Sequence, residues 1–303
     1  MAETTAATDR WMMRHVPDAV RKKQVGQLTG SDVSSMYASL MQDGMSRATC
    51  RRMRQSFNSA LSWAERQGYV RASPARGVTE PRGTGADDRR EIRPVREDDL
   101  RQMEARQRSI AGQYADLTIF AWETGLRSGE VRALRVRDVL DVPIPALWVT
   151  RSAPDGASEI RTTTKGGRGR RVPLTPRAEQ IVKRWAEGKS GDALLFPNAA
   201  GDLLTHRGML RRLRWHSVGE RAGTGLGFRW HDLRHGAAVR WLVSGMDPKT
   251  VQAWLGHASA TVTLDRYAHY VGVDADRAAL KRLAALELRG HDGGTEPTGA
   301  IQN

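Results

Sequence analysis

The stretch from Trp230 to Tyr270 gathers residue types that act on anions: His231, Arg234, His235, His257 and His269, with Tyr267 and Tyr270, while Asp232, Asp247 and Asp265 are its carboxylates. A site so poor in acids is built to hold an anion. His231 and Arg234 stand three residues apart, so on a helix both project from one face. Together they offer a guanidinium fork and an imidazole to one phosphate-sized group. A tyrosine presented to a phosphate held in this way points to nucleophilic attack at phosphorus, with a covalent phosphotyrosine intermediate.

The same residues carry plainer readings. A single tyrosine on a helix is most often packing, and a His-x-x-Arg pair often decorates a solvated face. His231 and His235 also have the i, i+4 spacing of zinc-binding helices. In that comparison Asp232 takes the place where such helices carry Glu, and the sequence offers no obvious third ligand.

The elements that must position these residues follow from local signals. Gly245 ends the helix that begins near Trp230. Asp247 followed by Pro248 reads as an N-cap and a first-turn proline, giving a helix to Leu255 that stops at Gly256. His257 falls just past that stop. Ser259 or Thr261 can cap a third helix, on which Leu264 and Tyr267 share a face.

Composition narrows the partners. Over 303 residues, Lys+Arg 48 against Asp+Glu 34 gives a formal charge of +14, which favours a polyanion. The single cysteine, Cys50, excludes an intrachain disulfide and a cysteine-based zinc cluster. No apolar run approaches membrane-spanning length and no signal-peptide core is present, so the expected setting is cytoplasmic, with no membrane partner.

Read in order, residues 1 to about 8 are expected to be a loose tail, and Trp11, Met12 and Val16 mark a short helix before Pro17. Asp32 is expected to cap a helix with the stripe Val33, Met36, Tyr37, Leu40 and Met41. The next helix, about Arg47 to Gln67, has Met53, Phe57, Ala60, Leu61 and Ala64 as its core face. Arg47, Arg51 and Arg54 recur on a neighbouring face as candidate DNA-backbone contacts, or equally as a solvated charged face. A run rich in Pro, Gly and charge follows from Ala72. The expected division is a helical DNA-binding domain over 1–82, a linker over 83–93, a larger domain over 94–288 and a disordered tail over 289–303.

The second domain opens with helices around Glu97–Arg108 and Gln113–Glu123. Ser128 then caps a short helix, which puts Arg127 at a helix N-terminus where exposed amides favour an anion. Between Ala146 and Leu174 the pattern changes to strand: Leu147–Val149, Glu159–Thr164 and Arg171–Leu174, with Lys165–Gly169 as a glycine-rich hairpin turn. Lys165, Arg168, Arg170 and Arg171 there can enter a groove, and the Lys165 ammonium can protonate a leaving oxygen or simply contact phosphate. Helices follow at Pro176–Gly188, His206–Ala222 and Asp274–Leu288. The fold class is mainly α with a small antiparallel β-sheet (α+β).

Thr-Gly-Leu-Arg127-Ser-Gly-Glu130, Lys165 followed by Arg171-Val-Pro-Leu, His231-Asp-Leu-Arg234-His, Leu-Gly-His257 and Tyr267-Ala-His269 stand in the order and spacing of the tyrosine recombinases of the phage integrase family, which the chain resembles over nearly its whole length. The helical first domain resembles that family's core-binding domain.

The resemblance implies site-specific recombination by DNA strand cleavage and rejoining. Arg127, Arg234 and His257 would hold the non-bridging oxygens of the scissile phosphate. Tyr267 would form a 3′-phosphotyrosyl link, Lys165 would protonate the departing 5′-oxygen, and His231 would assist proton transfer at the nucleophile. Glu130 and His269 are supporting residues. The chemistry is implied to need no metal, nucleotide or other cofactor. It would use double-stranded DNA attachment sites, a homo-tetramer on DNA, and accessory DNA-bending or directionality proteins. A topoisomerase-like enzyme and a catalytically silent DNA-binding regulator of the same fold are the competing readings. Nothing before Thr29 reads as the arm-binding domain that many phage integrases carry.

Overall fold

The computed structural model describes residues 3–78, 93–155, 159–162, 169–216 and 227–257, together with residues 259, 261, 267, 272, 276–277, 280–281 and 284. The chain divides into two compact units, Met1–Glu91 and Ile92–Asn303. Most of the expected 83–93 linker lies outside the described residues.

The first unit is helical: α1 (Glu3–Arg14), α2 (Asp18–Arg21), α3 (Gly30–Gln42) and α4 (Arg47–Arg66). Helix already begins at Glu3, where a loose tail was expected. In α3 the cap is Thr29, not Asp32. The Thr29 hydroxyl accepts from the Asp32 amide at 3.2 Å, and the Asp32 carboxylate accepts from the Thr29 amide at 3.0 Å, so each satisfies an end donor of the other. Val33, Met36, Tyr37 and Leu40 of α3 are buried with Met53, Phe57 and Leu61 of α4. Ala60, expected on that core face, is exposed. A methyl group contributes too little apolar area to decide which way a helix turns.

The second unit holds α5 (Glu97–Ala111), α6 (Asp116–Thr124), α7 (Ser128–Ala133), α8 (Pro176–Ala186), α9 (His206–Arg212), α10 (Trp230–Val243) and α11 (Pro248–Leu255) among its described elements. Its antiparallel sheet has the order β1 (Val139–Leu140), β2 (Ala146–Val149), β3 (Arg170–Pro173), with Leu147 opposite Val172. The strand expected over Glu159–Thr164 reduces, within the described residues, to one bridge between Ser152 and Arg161. The two-residue β1 is instead the third strand.

Helix α6 is buried along its whole length, as the centre of a helical layer must be. Its Asp116 is tolerated inside because Arg108 and Arg184 pair with it and the Trp185 indole donates to it at 3.0 Å. The expected helix start at Gln113 resolves into a 3-10 turn, Gly112–Ala115, before α6. Helix α10 crosses α6 and seats against Val95: a Cβ on Gly236 would lie 2.3 Å from the Val95 carbonyl oxygen. That carbonyl also accepts from the Trp122 indole at 2.9 Å. Only glycine lets α10 approach so closely, and this sets the height of the residues next to it, Arg234 and His235. No helix among the described residues is long and apolar enough to cross a membrane.

Candidate active site

The last turn of a helix leaves carbonyls without intrahelical donors. At the end of α11 these carbonyls are served by arginines from separate elements. The Trp254 carbonyl accepts from Arg170 Nε on β3 at 2.7 Å, the Leu255 carbonyl from Arg234 Nη2 on α10 at 2.6 Å, and the Gly256 carbonyl from Arg127 Nη2 before α7 at 3.2 Å. Positive charge at the negative end of a helix is electrostatically favourable. Gly256 adopts φ +67, the left-handed stop that glycine permits, and a Cβ there would sit 3.0 Å from the Arg170 side chain. The turn then delivers His257, half-buried, beside the arginines; its amide donates to the Gln252 carbonyl and its own carbonyl accepts from Gln252 Nε2 at 3.1 Å.

Glu130 locks this arrangement. Its carboxylate accepts two hydrogen bonds from Arg170, both at 2.8 Å, one from Arg127 Nη1 at 3.0 Å and one from the Arg127 backbone amide at 2.8 Å. Burial pushes the Glu130 carboxyl up, but the hydrogen bonds and charge of Arg170, with Arg127 behind them, outweigh it and bring the group down to about 2. Glu130 also caps α7. Ser128, expected to be the cap, is the first helical residue, and its hydroxyl meets His206 Nδ1 at 2.7 Å. Gly129 lets the chain at Ala153 close in, since a Cβ there would stand 2.5 Å from the Ala153 carbonyl oxygen.

Arg234 is 2 % exposed and also donates to the Gly125 carbonyl at 2.7 Å. Burial, then the neighbouring Arg127 charge, pulls it down to about 9, so it remains a cation at neutral pH. Arg127 is the more open of the two, with 42 % of its side chain exposed. A buried guanidinium fixed by two carbonyls beside a half-open one is an arrangement able to serve as an anion cradle that reorganises little when charge develops nearby.

Tyr267 packs against the α10–α11 pair, fully buried with Ala237, Trp241, Leu242, Val251 and Leu255. Its hydroxyl meets His235 Nδ1 at 2.7 Å. The His231 ring stands edge-on to that of His235, with centroids 4.7 Å apart, and His231 itself is exposed.

A model described as the phage integrase family matches residues 95–271, more than half of the chain. The chain belongs to the phage integrase family. Among its relatives, a tyrosine recombinase XerC of Brucella melitensis biotype 1 is 29% identical over 280 residues, covering 88% of this chain and 81% of the relative. A tyrosine recombinase XerC of Vibrio atlanticus is 25% identical over 254 residues, covering 80% and 74%. Among solved structures, the Tn1549 transposon integrase in complex with a circular intermediate DNA superposes with TM-score 0.73 at 20% identity, covering 93% of this chain and 94% of that one. A lambda integrase dimer bound to a COC′ core site gives 0.66 at 18% identity, with 89% of each chain covered. The chain is thus a tyrosine recombinase, an enzyme that cleaves and rejoins DNA, and its helical architecture with a small sheet is that of the integrases.

The phage integrase motif residues Arg127, Glu130, Arg234 and His257 converge at the α11 terminus, with Arg170 added to them. Lys165, Arg168, His269 and Tyr270 lie outside the described residues. Arg170, expected to contact a DNA groove, is instead an internal tie: its side chain is 11 % exposed and its guanidinium is engaged by Glu130 and Trp254. Arg171 donates to the Ile144 carbonyl at 3.0 Å. On α4, Arg51 is exposed while Arg47 and Arg54 are half-buried. Two roles were not apparent from spacing: His235 as the partner of Tyr267, and Arg132, which is fully buried and donates to the Ala153 carbonyl at 2.6 Å and to Asp155 at 2.8 Å. Among the described residues there is no cluster of three or more His, Cys, Asp or Glu side chains that could hold a metal ion.

Proposed function

We propose that this recombinase carries out site-specific recombination through a 3′-phosphotyrosyl intermediate at Tyr267, without metal or ATP. The observation that carries the reading is the convergence of Arg127 and Arg234 on the α11 terminus that bears His257, with Tyr267 packed on the same pair of helices. Arg127, Arg234 and His257 hold the non-bridging oxygens of the scissile phosphate and stabilise charge as it develops. Lys165 protonates the 5′-oxygen and His231 assists proton transfer, with His269 in support. A phenol ionises near 10, so a cationic surround is needed to stabilise the oxygen as it loses its proton. The covalent link conserves the phosphodiester, and a 5′-hydroxyl from another strand can reseal it. The substrates are double-stranded attachment sites. A lambda integrase tetramer bound to a Holliday junction, with TM-score 0.65 to this chain, supports a homo-tetramer as the working form, with accessory DNA-bending or directionality proteins as further partners. Arg47, Arg51, Arg54, Arg168 and Arg171 are the proposed backbone contacts.

The test is a covalent trap. A nicked duplex, recovered from a randomised pool by its binding to the protein, is incubated with the parent and with Tyr267→Phe in chelator. An adduct that survives denaturant with the parent alone is the expected result. A catalytically silent DNA-binding regulator is the second reading, and the full burial of Tyr267 favours it. It predicts binding without an adduct in either protein.

A further inference from the structure

The Tyr267 hydroxyl touches a histidine outside the set that the family resemblance assigns to proton transfer. It meets Nδ1 of His235, a residue 4 % exposed, at 2.7 Å. His235 lies one helical turn beyond His231 and directly after Arg234, on the stretch of α10 whose height is set by Gly236 against Val95. The His235 and Tyr267 rings lie 5.6 Å apart and tilted by 59°, a geometry that brings the phenolic oxygen to the imidazole edge. A base must lie within hydrogen-bond reach of the proton that it removes, and His235 does.

We infer that His235 is a catalytic residue of this recombinase, orienting the Tyr267 hydroxyl and accepting its proton during strand cleavage. The inference rests on the assignment of Tyr267 as nucleophile. Nδ1 accepts the hydrogen bond while Nε2 carries the ring proton. As the phenolic oxygen bonds to phosphorus, its proton passes to Nδ1. The bond from phosphorus to the 5′-oxygen breaks, and that oxygen takes a proton from a separate acid, Lys165 in the reading above. Religation reverses both transfers. The imidazolium formed beside Arg234 is offset by the negative charge that grows on the phosphoryl oxygens at the same moment. His231, exposed at the outer end of the pair and edge-on to His235, keeps its assisting part in proton transfer.

The decisive variant is His235→Asn, whose amide oxygen can stand where Nδ1 does and accept the hydrogen bond but cannot take up a proton; His235→Ala removes both capacities. With the same nicked duplex, both variants should bind within about twofold of the parent. His235→Asn should form the adduct about 100-fold more slowly, the lower range of general-base contributions, and His235→Ala more slowly still. Replacing Tyr267 in the His235→Asn background with a fluorotyrosine, whose phenol is more acidic, should recover about tenfold of the rate, because a better acid needs its base less. Parental rates in His235→Asn would reduce the contact to orientation and overturn the proton transfer, as would a slow rate that the fluorotyrosine does not lift. An adduct formed by Tyr267→Phe, or none formed by the parent, would overturn the underlying nucleophile assignment instead. If His235→Ala does not fold, the asparagine and fluorotyrosine measurements decide the matter alone.

Discussion

Arginine occupies two contrasting settings in this molecule. In the Ile92–Asn303 unit, Arg170 and Arg234 are almost wholly buried, and carbonyls or Glu130 engage their guanidinium groups from several sides. In the Met1–Glu91 unit, Arg47, Arg51 and Arg54 run along α4 with exposed or half-buried side chains. The first pair fixes geometry, and its charge is already partly spent on protein. The second set, proposed above as backbone contacts, lies on a face more open to solvent. A count of basic residues therefore favours a polyanionic partner, whereas burial separates arginines that hold the fold from those placed to meet it.

The contrast can be broken by substitution. Arg234→Ala should have the largest effect, since it strips the donors from the Gly125 and Leu255 carbonyls and removes a cation from the cradle. Adduct formation should fall by about 10³-fold, and thermal unfolding should shift downward by several degrees. Lysine at this position keeps the charge but not the two divergent donors, and should recover little of the rate. Arg170→Gln should slow adduct formation about 10-fold to 100-fold, the equivalent of losing one charge-assisted hydrogen bond of about 1.5–3 kcal/mol. DNA affinity and its salt dependence should stay as they are. A decrease of about one in the salt slope would mean that Arg170 is a phosphate contact after all. Arg51→Gln should do the reverse with the smallest effect: a few-fold loss of affinity across all sequences, a salt slope lower by about 0.9, and an unchanged cleavage rate on saturating DNA. A changed rate at saturation would erase the distinction between the two arginine sets.

Much of the site was legible because its signals are local. Gly245 closes α10, and the Asp247–Pro248 start and the Gly256 stop bound α11 and place His257 at its end, as the structure has them. The positions of Arg127 and Arg234 follow from similar short-range spacing. What was not legible depends on contacts distant in sequence. Nothing in Gly-Arg-Gly-Arg170-Arg171 distinguishes a groove contact from a tie, because the deciding carboxylate, Glu130, lies 40 residues upstream. Ser128 is a plausible cap by type, yet Glu130 takes that role once it is drawn in by Arg170. The i, i+4 spacing of His231 and His235 is equally compatible with a shared metal and with two different tasks. Only the return of the chain at Tyr267 shows that His235 has a partner of its own.

The end of α11 has a consequence for motion. Helix ends ordinarily fray residue by residue, but here consecutive carbonyls are bonded to arginines from β3, α10 and the start of α7. The turn at Gly256 cannot open without releasing all of them, so it belongs to the same cooperative unfolding unit as those elements. Amide exchange at Gly256 and His257 then reports the opening of the whole cradle rather than the loosening of one helix.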